Sequence, residues 1–263
     1  MPTDALARRA TGTDGPTVVF LHGLLGRGKN LATAASALTA NGYRAVLLDL
    51  PNHGRSPWTE TLDVRALAAE IAASISGDAP VHLVGHSLGG KTAMQVALRR
   101  PELVASLVVV DIAPVDYGTS SASEFGHYLQ AMSSLDLASL ASRTDADARL
   151  AAQVPDERVR GFLLQNLRRQ GDGWAWDVNL DLLAADLDSA AAFPTEGTTP
   201  YGGPVLWLAG ADSDYVRDDD RDAMTALFPR TRLVRVRGAG HWVHSEQPEV
   251  FATSLQRFLD AQR

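Results

Sequence analysis

The sequence predicts a doubly wound α/β fold: a mainly parallel sheet flanked by helices, with a helical segment inserted late in it. Three observations carry this. Short apolar runs alternate with helix-like stretches over residues 1–114 and again over 201–263. The runs are continuous rather than alternating, which is how strands buried on both faces of a parallel sheet read. Between Val115 and Pro200 the alternation stops, and that stretch is too long to be one loop of a compact domain. The expected organisation is a core of residues 1–114 and 201–263 carrying an inserted helical cap at 115–200.

The first core run, residues 17–21, ends at His22-Gly23 and opens a glycine-rich loop through Gly28. A helix is expected from Asn30 to about Ala40, stopped by Asn41-Gly42, residues that tolerate left-handed backbone. Ala45–Leu50 is the next buried strand and runs into the turn of residues 51–57. Leu62, Leu67, Ile71 and Ile75 recur at helical spacing. Val81–Val84 is a strand, followed by a glycine-bounded serine and a helical run from Lys91 to Leu98. Leu107–Val110 is the fourth buried strand and ends at Asp111-Ile112-Ala113-Pro114. Within 115–200 helices are expected near Glu124–Met132, Leu135–Ala141, Glu157–Arg168 and Asn179–Leu187, with no convincing strand. Strands resume at Val205–Leu208 and Leu233–Val236, and an amphipathic helix closes the chain at about Pro248–Leu259.

Composition narrows the function classes. The 263 residues suffice for a sizeable core, and 45% hydrophobic with 21% charged residues is ordinary for a soluble globular protein. A net charge of −7 argues against a nucleic-acid partner, which would call for a basic surface. No run of about 18 apolar residues is present, so no membrane span is expected. The first nine residues lack a signal-peptide core, which points to the cytoplasm. The absence of cysteine excludes disulfides, thiolate metal sites and a cysteine nucleophile.

The chemistry centres on Gly85-His86-Ser87-Leu88-Gly89, a G-x-S-x-G pentapeptide between strand and helix. That order describes a nucleophile elbow, in which a strained turn presents the serine hydroxyl at the sheet's edge. The pentapeptide alone occurs by chance about one time in ten in a chain of this length, so its partners decide. A serine needs a base, an acid to orient that base, and donors for the developing oxyanion. His241, in Gly238-Ala239-Gly240-His241-Trp242 directly after the last strand, is the expected base; His244 is the alternative. The oxyanion donors expected are the N–H groups of Leu88 and Leu24, with both side chains lining an acyl pocket. The acid has two sources. Asp212 and Asp214 lie in the loop after Val205–Leu208, although Ser213 occupies the usual aspartate position there. Asp111 stands at the tip of the strand after the nucleophile strand.

Together, residues 21–26, 52–57, 85–91, 110–115 and 238–244 resemble one branch of the α/β-hydrolase superfamily. It is the branch of the YbfF-type bacterial esterases and of α/β-hydrolase-domain-containing protein eleven. The likeness runs from about Val18 to the C-terminus and is weakest in the cap, where residues 174–180 still resemble a segment of the branch. The resemblance implies an α/β-hydrolase fold with a helical cap and activity on short acyl esters. It also implies that Asp111 serves as the acid, with Asp212 and Asp214 as alternatives. Lys91 matches the branch as well, and reads as a solvated lysine with an acidic neighbour. His86 is expected to pack beneath Ser87. Asn30 and His53 are expected at the cleft mouth, and Trp174, Trp176 and Phe125 as an apolar roof; structural roles would serve these residues equally.

The expected function is therefore a carboxylesterase, cleaving short- to medium-chain acyl esters through Ser87, His241 and Asp111 without a cofactor or metal. The partner is a small-molecule ester. Thioester or acyl-CoA hydrolysis, lactone or carbon–carbon bond hydrolysis and perhydrolysis could use the same triad. A ligand receptor that kept the fold is the reading from another class.

Overall fold

The apolar runs pair into one sheet in a computed structural model that describes residues 5–12, 14–78 and 80–263. Residues 1–4, part of the N-terminal stretch without a signal-peptide core, lie outside these. The chain begins β1 (Arg8–Thr11), β2 (Thr17–Leu21), α1 (Ala32–Thr39), β3 (Arg44–Leu48), α2 (Val64–Ile75), β4 (Val81–His86), α3 (Leu88–Arg99) and β5 (Val104–Val110). Next come α4 (Gly118–Ser133), α5 (Arg143–Leu150), α6 (Glu157–Leu164), β6 (Leu167–Gln170), β7 (Gly173–Trp176), α7 (Leu180–Ala185) and α8 (Leu187–Ala191). β8 (Val205–Gly210), α9 (Arg221–Leu227), β9 (Thr231–Val236), α10 (Val243–Glu246) and α11 (Pro248–Asp260) complete the fold.

The strand order is β1-β3-β2-β4-β5-β8-β9. All neighbours run parallel except β1, which pairs antiparallel with β3. The chain steps outward from β2 to β3 and then reverses to place β4 on the other side of β2. Such a reversal leaves a crevice beyond the carboxyl ends of the two strands that flank it, where ligands bind in open α/β sheets. Register makes the edge level: Leu21 lies opposite Gly85, His86 opposite Val110, Val110 opposite Leu208, and Gly210 opposite Val236. The loops after β2, β4, β5, β8 and β9 therefore open onto one side.

Period-two alternation splits the strand residues between two buried layers. Val19 and Leu21 pack with Leu67 and Ile71 of α2 and Met94 of α3. Val18 and Phe20 pack with Leu38 of α1 and Phe251, Leu255 and Leu259 of α11. Burying side chains of this size contributes roughly 1.5–3 kcal/mol each, so the terminal helix is integral to the core.

Five points differ from the expectations. β1 adds a strand that the apolar pattern does not mark, because it is an exposed, arginine-bearing edge strand. The segment between β5 and β8 is not all helical, because β6 and β7 form a hairpin. The helix expected over Glu157–Arg168 ends at Leu164, since Leu167 pairs with Trp176. Leu135–Ala141 yields only a single tight turn at Leu137–Ser139, and Asn179–Leu187 breaks at Asp186 into α7 and α8. Among the described residues no helix is long and apolar enough to cross a membrane.

Candidate active site

Ser87 occupies the turn between β4 and α3 with φ 52° and ψ −119°. A left-handed backbone at a non-glycine residue costs of order 1–3 kcal/mol and persists only where the surroundings over-determine it. Here they do. The Ser87 N–H donates to Val110 O at 3.1 Å, and its carbonyl accepts from Lys91 N–H at 2.9 Å. Space also dictates the glycines: a Cβ on Gly85 would lie 2.2 Å from Gly89 O, and one on Gly89 would lie 2.4 Å from Leu21 O. Leu88 opens α3, so its N–H has no intrahelical acceptor.

Asp111 follows β5, is fully buried and also has positive φ, 49°. Its Oδ1 accepts from Gly210 N–H at 2.8 Å. Its Oδ2 accepts from Ser213 Oγ at 2.5 Å and from His241 Nδ1 at 2.8 Å. With Nδ1–H turned to a carboxylate, Nε2 carries the basic lone pair; that atom is buried and has no hydrogen-bond partner among the described residues. The His241 ring stacks on Tyr215, centroids 4.0 Å apart, with Phe125 on another side. Asp212 and Asp214 are exposed, and the Asp212 backbone N–H bonds Ala239 O.

Behind these residues sits a row of buried imidazoles. His86 Nε2–H donates to His241 O at 2.8 Å, fixing the His241 backbone, and burial pushes the His86 pKa well below the ordinary value. His244 lies in α10 with its ring 4.8 Å from His86 and its pKa lowered to about 4, chiefly by burial and then by His241. His22 accepts Leu50 N–H at Nε2 and bonds Gly23 O through Nδ1, and burial takes its pKa to about 4.

Leu24, Ser87 and Leu88 face one recess of about 410 Å3 whose other walls include Ile112, Phe125 and Leu187. The recess is apolar except for Ser87, Lys91 and two tyrosines. Tyr117, one of those two, sits in no recognisable motif; its hydroxyl accepts Ala113 N–H and donates to Tyr215 O.

Four residues expected at the cleft fall elsewhere. His53 is not at a cleft mouth: it is fully buried, accepts Leu25 N–H at Nε2 and donates from Nδ1 to Pro51 O. Burial lowers its pKa to about 3. Trp174 and Trp176 line a different recess with Trp58, and the Trp174 indole donates to Leu140 O. Asn30 lines a second recess with Phe162 and Trp242, and its amide donates to Gln165. Lys91 is not solvated: it is 2% exposed and donates to the carbonyls of Ala191 and Ala192, its ammonium 4.8 Å from the centre of the Tyr117 ring. Burial brings its pKa down to about 7.

Residues 16–248 match the family model described as the alpha/beta hydrolase fold. The chain is 39% identical to the sn-1-specific diacylglycerol lipase ABHD11 of Mus musculus, over 93% of this chain and 81% of that protein. It is 31% identical to esterase YbfF of Escherichia coli, over 92% of each. Among solved structures it resembles a marine microorganism esterase with a TM-score of 0.94 and 32% identity, covering 97% of this chain and all of the other.

Proposed function

The chain belongs to the α/β-hydrolase fold family and is a carboxylic ester hydrolase, and we propose that it works through an acyl-enzyme on Ser87 with His241 as base and Asp111 as its orienting acid. The observation that carries the reading is the Asp111–His241 hydrogen bond, which engages Nδ1 and leaves the buried Nε2 without a partner among the described residues, in a loop that opens on the same side of the sheet as the strained Ser87.

In this reading Ser87 Oγ attacks the ester carbonyl and its proton passes to His241 Nε2. The oxyanion is held by the N–H groups of Leu24 and Leu88, donors worth roughly 2.7–4 kcal/mol apiece in the transition state. His241 returns the proton to the departing alcohol. A water molecule, deprotonated by the same imidazole, then releases the acid. Asp111 keeps the imidazole in the productive tautomer and stabilises its cation. The segment 115–200 acts as the cap, bringing Phe125 and Leu187 to the recess, which suits short- to medium-chain acyl groups.

A fluorophosphonate probe tests the assignment together with p-nitrophenyl esters of increasing chain length. Wild type should be labelled and active, and Ser87→Ala should be neither. A Ser87→Ala enzyme that hydrolyses p-nitrophenyl butyrate at the wild-type rate would sink the reading. Because one relative is named a diacylglycerol lipase, the substrate series should include a diacylglycerol beside the simple esters.

A further inference from the structure

The loop that carries the proposed oxyanion donor Leu24 is held from two directions, and one of the holds comes from the cap. Gly23 to Gly26 form a tight turn closed by Gly26 N–H to Gly23 O at 2.9 Å. Its third residue, Leu25, has φ 60°, a conformation at which such turns favour glycine. The strained leucine is gripped on both sides. Its N–H donates to His53 Nε2 at 3.1 Å, and its carbonyl accepts from Asn166 Nδ2 at 2.7 Å.

Asn166 lies between α6 and β6, 141 positions along the chain from Leu25, and is fully buried. Its carboxamide has no freedom to turn. Nδ2 also donates to Leu163 O at 3.2 Å, and Oδ1 accepts from Arg27 Nε at 3.3 Å. Arg27 in turn pairs with Asp177 at 2.8 Å, just past the hairpin.

We propose that Asn166 is a positioning residue for ester hydrolysis: by holding the Leu25 carbonyl it keeps the oxyanion turn in its strained form and aims the Leu24 N–H at the reacting carbonyl. The inference rests on the assignment of Leu24 as an oxyanion donor. It makes the cap part of the chemical step and not only a selector of substrates. Without the amide, Leu25 can relax toward negative φ, and the turn carrying Leu24 moves with it. His53 restrains the other peptide through the Leu25 N–H.

The test is Asn166→Leu, assayed with p-nitrophenyl butyrate. A donor moved from its place costs about 10- to 100-fold, so kcat should fall by that factor with KM within about two-fold. Inhibition by an aryl trifluoromethyl ketone, which forms an oxyanion adduct, should weaken by the same factor as kcat/KM. Leu25→Gly in the Asn166→Leu background should restore part of kcat, because glycine adopts positive φ without strain. If Asn166→Leu does not fold, Asn166→Asp, of equal size but without the donated N–H, takes its place. Asp147→Asn serves as the control, breaking the Arg160–Asp147 ion pair between α5 and α6 while leaving the Asn166–Leu25 bond; it should lower the melting temperature and spare kcat. An unchanged kcat in the Asn166 variant, or a loss that Leu25→Gly does not relieve, overturns the proposal. Ser87→Ala is run alongside. If that enzyme stays active, the reaction assignment fails; if it is dead while Asn166→Leu is unaffected, only this inference fails.

Discussion

Ser213 gives its hydroxyl to Asp111, Oγ to Oδ2 at 2.5 Å, from the loop position where an aspartate would otherwise be expected. The carboxylate comes from β5 instead, and the loop after β8 supplies it with two donors, Ser213 Oγ and Gly210 N–H. If Asp111 is the acid, Asp111→Asn should lower kcat by about 10⁴-fold, the consequence of a wrong imidazole tautomer. Asp212→Asn and Asp214→Asn should leave kcat close to wild type. Ser213→Ala, which removes one hydrogen bond to a charged group, should cost about ten-fold. Steady-state kinetics on the four variants decide it: a loss confined to Asp212 or Asp214 would move the acid to the later loop.

The buried histidines make stability acid-sensitive. His22 and His53 have folded pKa values lowered to about 4 and about 3 from an ordinary 6.5, and His86 is lowered as well, each chiefly by burial. Below pH 6.5 the unfolded chain takes up protons that the folded one refuses. The stabilisation is thus complete above pH 6.5 and is lost as pH falls toward about 4. Each histidine contributes a slope of about 1.4 kcal/mol per pH unit in that window. Urea unfolding from pH 7 to pH 4.5 should show it, and His53→Gln should reduce the slope by about one histidine's share. A flat profile over that range would contradict the assignment of these rings as neutral.

What the sequence disclosed depended on range. Leu107–Val110 was legible because a strand buried on both faces is apolar at every position, and Val81–Val84 because it is apolar at all but His82, whose buried ring bonds Ser106 Oγ. Ser87 and His241 stood out through the glycines that crowded turns demand. Asp111 was legible only as one of two sources of a carboxylate, since the choice turns on Ser213, 102 positions away. The rest was not local at all. Lys91 looks solvated until Ala191 and Ala192, about a hundred positions on, bring carbonyls to it. His53 points inward because the Leu25 N–H requires an acceptor. The β6–β7 hairpin is short, and its Arg168-Arg169-Gln170 carries no apolar signal.

The recess makes a specificity prediction. Leu187, from α8, and Phe125, from α4, line it together with Leu24 and Leu88. Leu187→Ala should lengthen it and move the preferred acyl chain up by about one or two methylenes, with kcat for acetate esters nearly unchanged. Profiles of kcat/KM against p-nitrophenyl ester length would show the shift. Trp174→Ala, in a separate recess, should leave the profile where it was.

Lys91 offers the complementary test, of stability at alkaline pH. Lys91, Gln95 and Arg99 follow one another at four-residue spacing on α3, and they bind main-chain carbonyls of Ala191, Ala192, Pro194 and Glu196, where the chain returns toward β8. Carbonyls accept N–H from an ammonium and an amine alike, so the clamp survives deprotonation while the cost of burying the charge does not. Burial lowers the Lys91 pKa to about 7, with Asp116 pulling weakly the other way. Between that value and 10.5 the unfolded chain holds the extra proton, so this contribution is fully present above 10.5 and is lost as pH falls through about 7. Wild type should therefore gain stability relative to Lys91→Met as pH rises from 7 to 10, by a few kcal/mol at most. Melting temperatures of the pair at pH 6.5 and pH 9.5 measure it, and a difference independent of pH would show that Lys91 stays charged throughout.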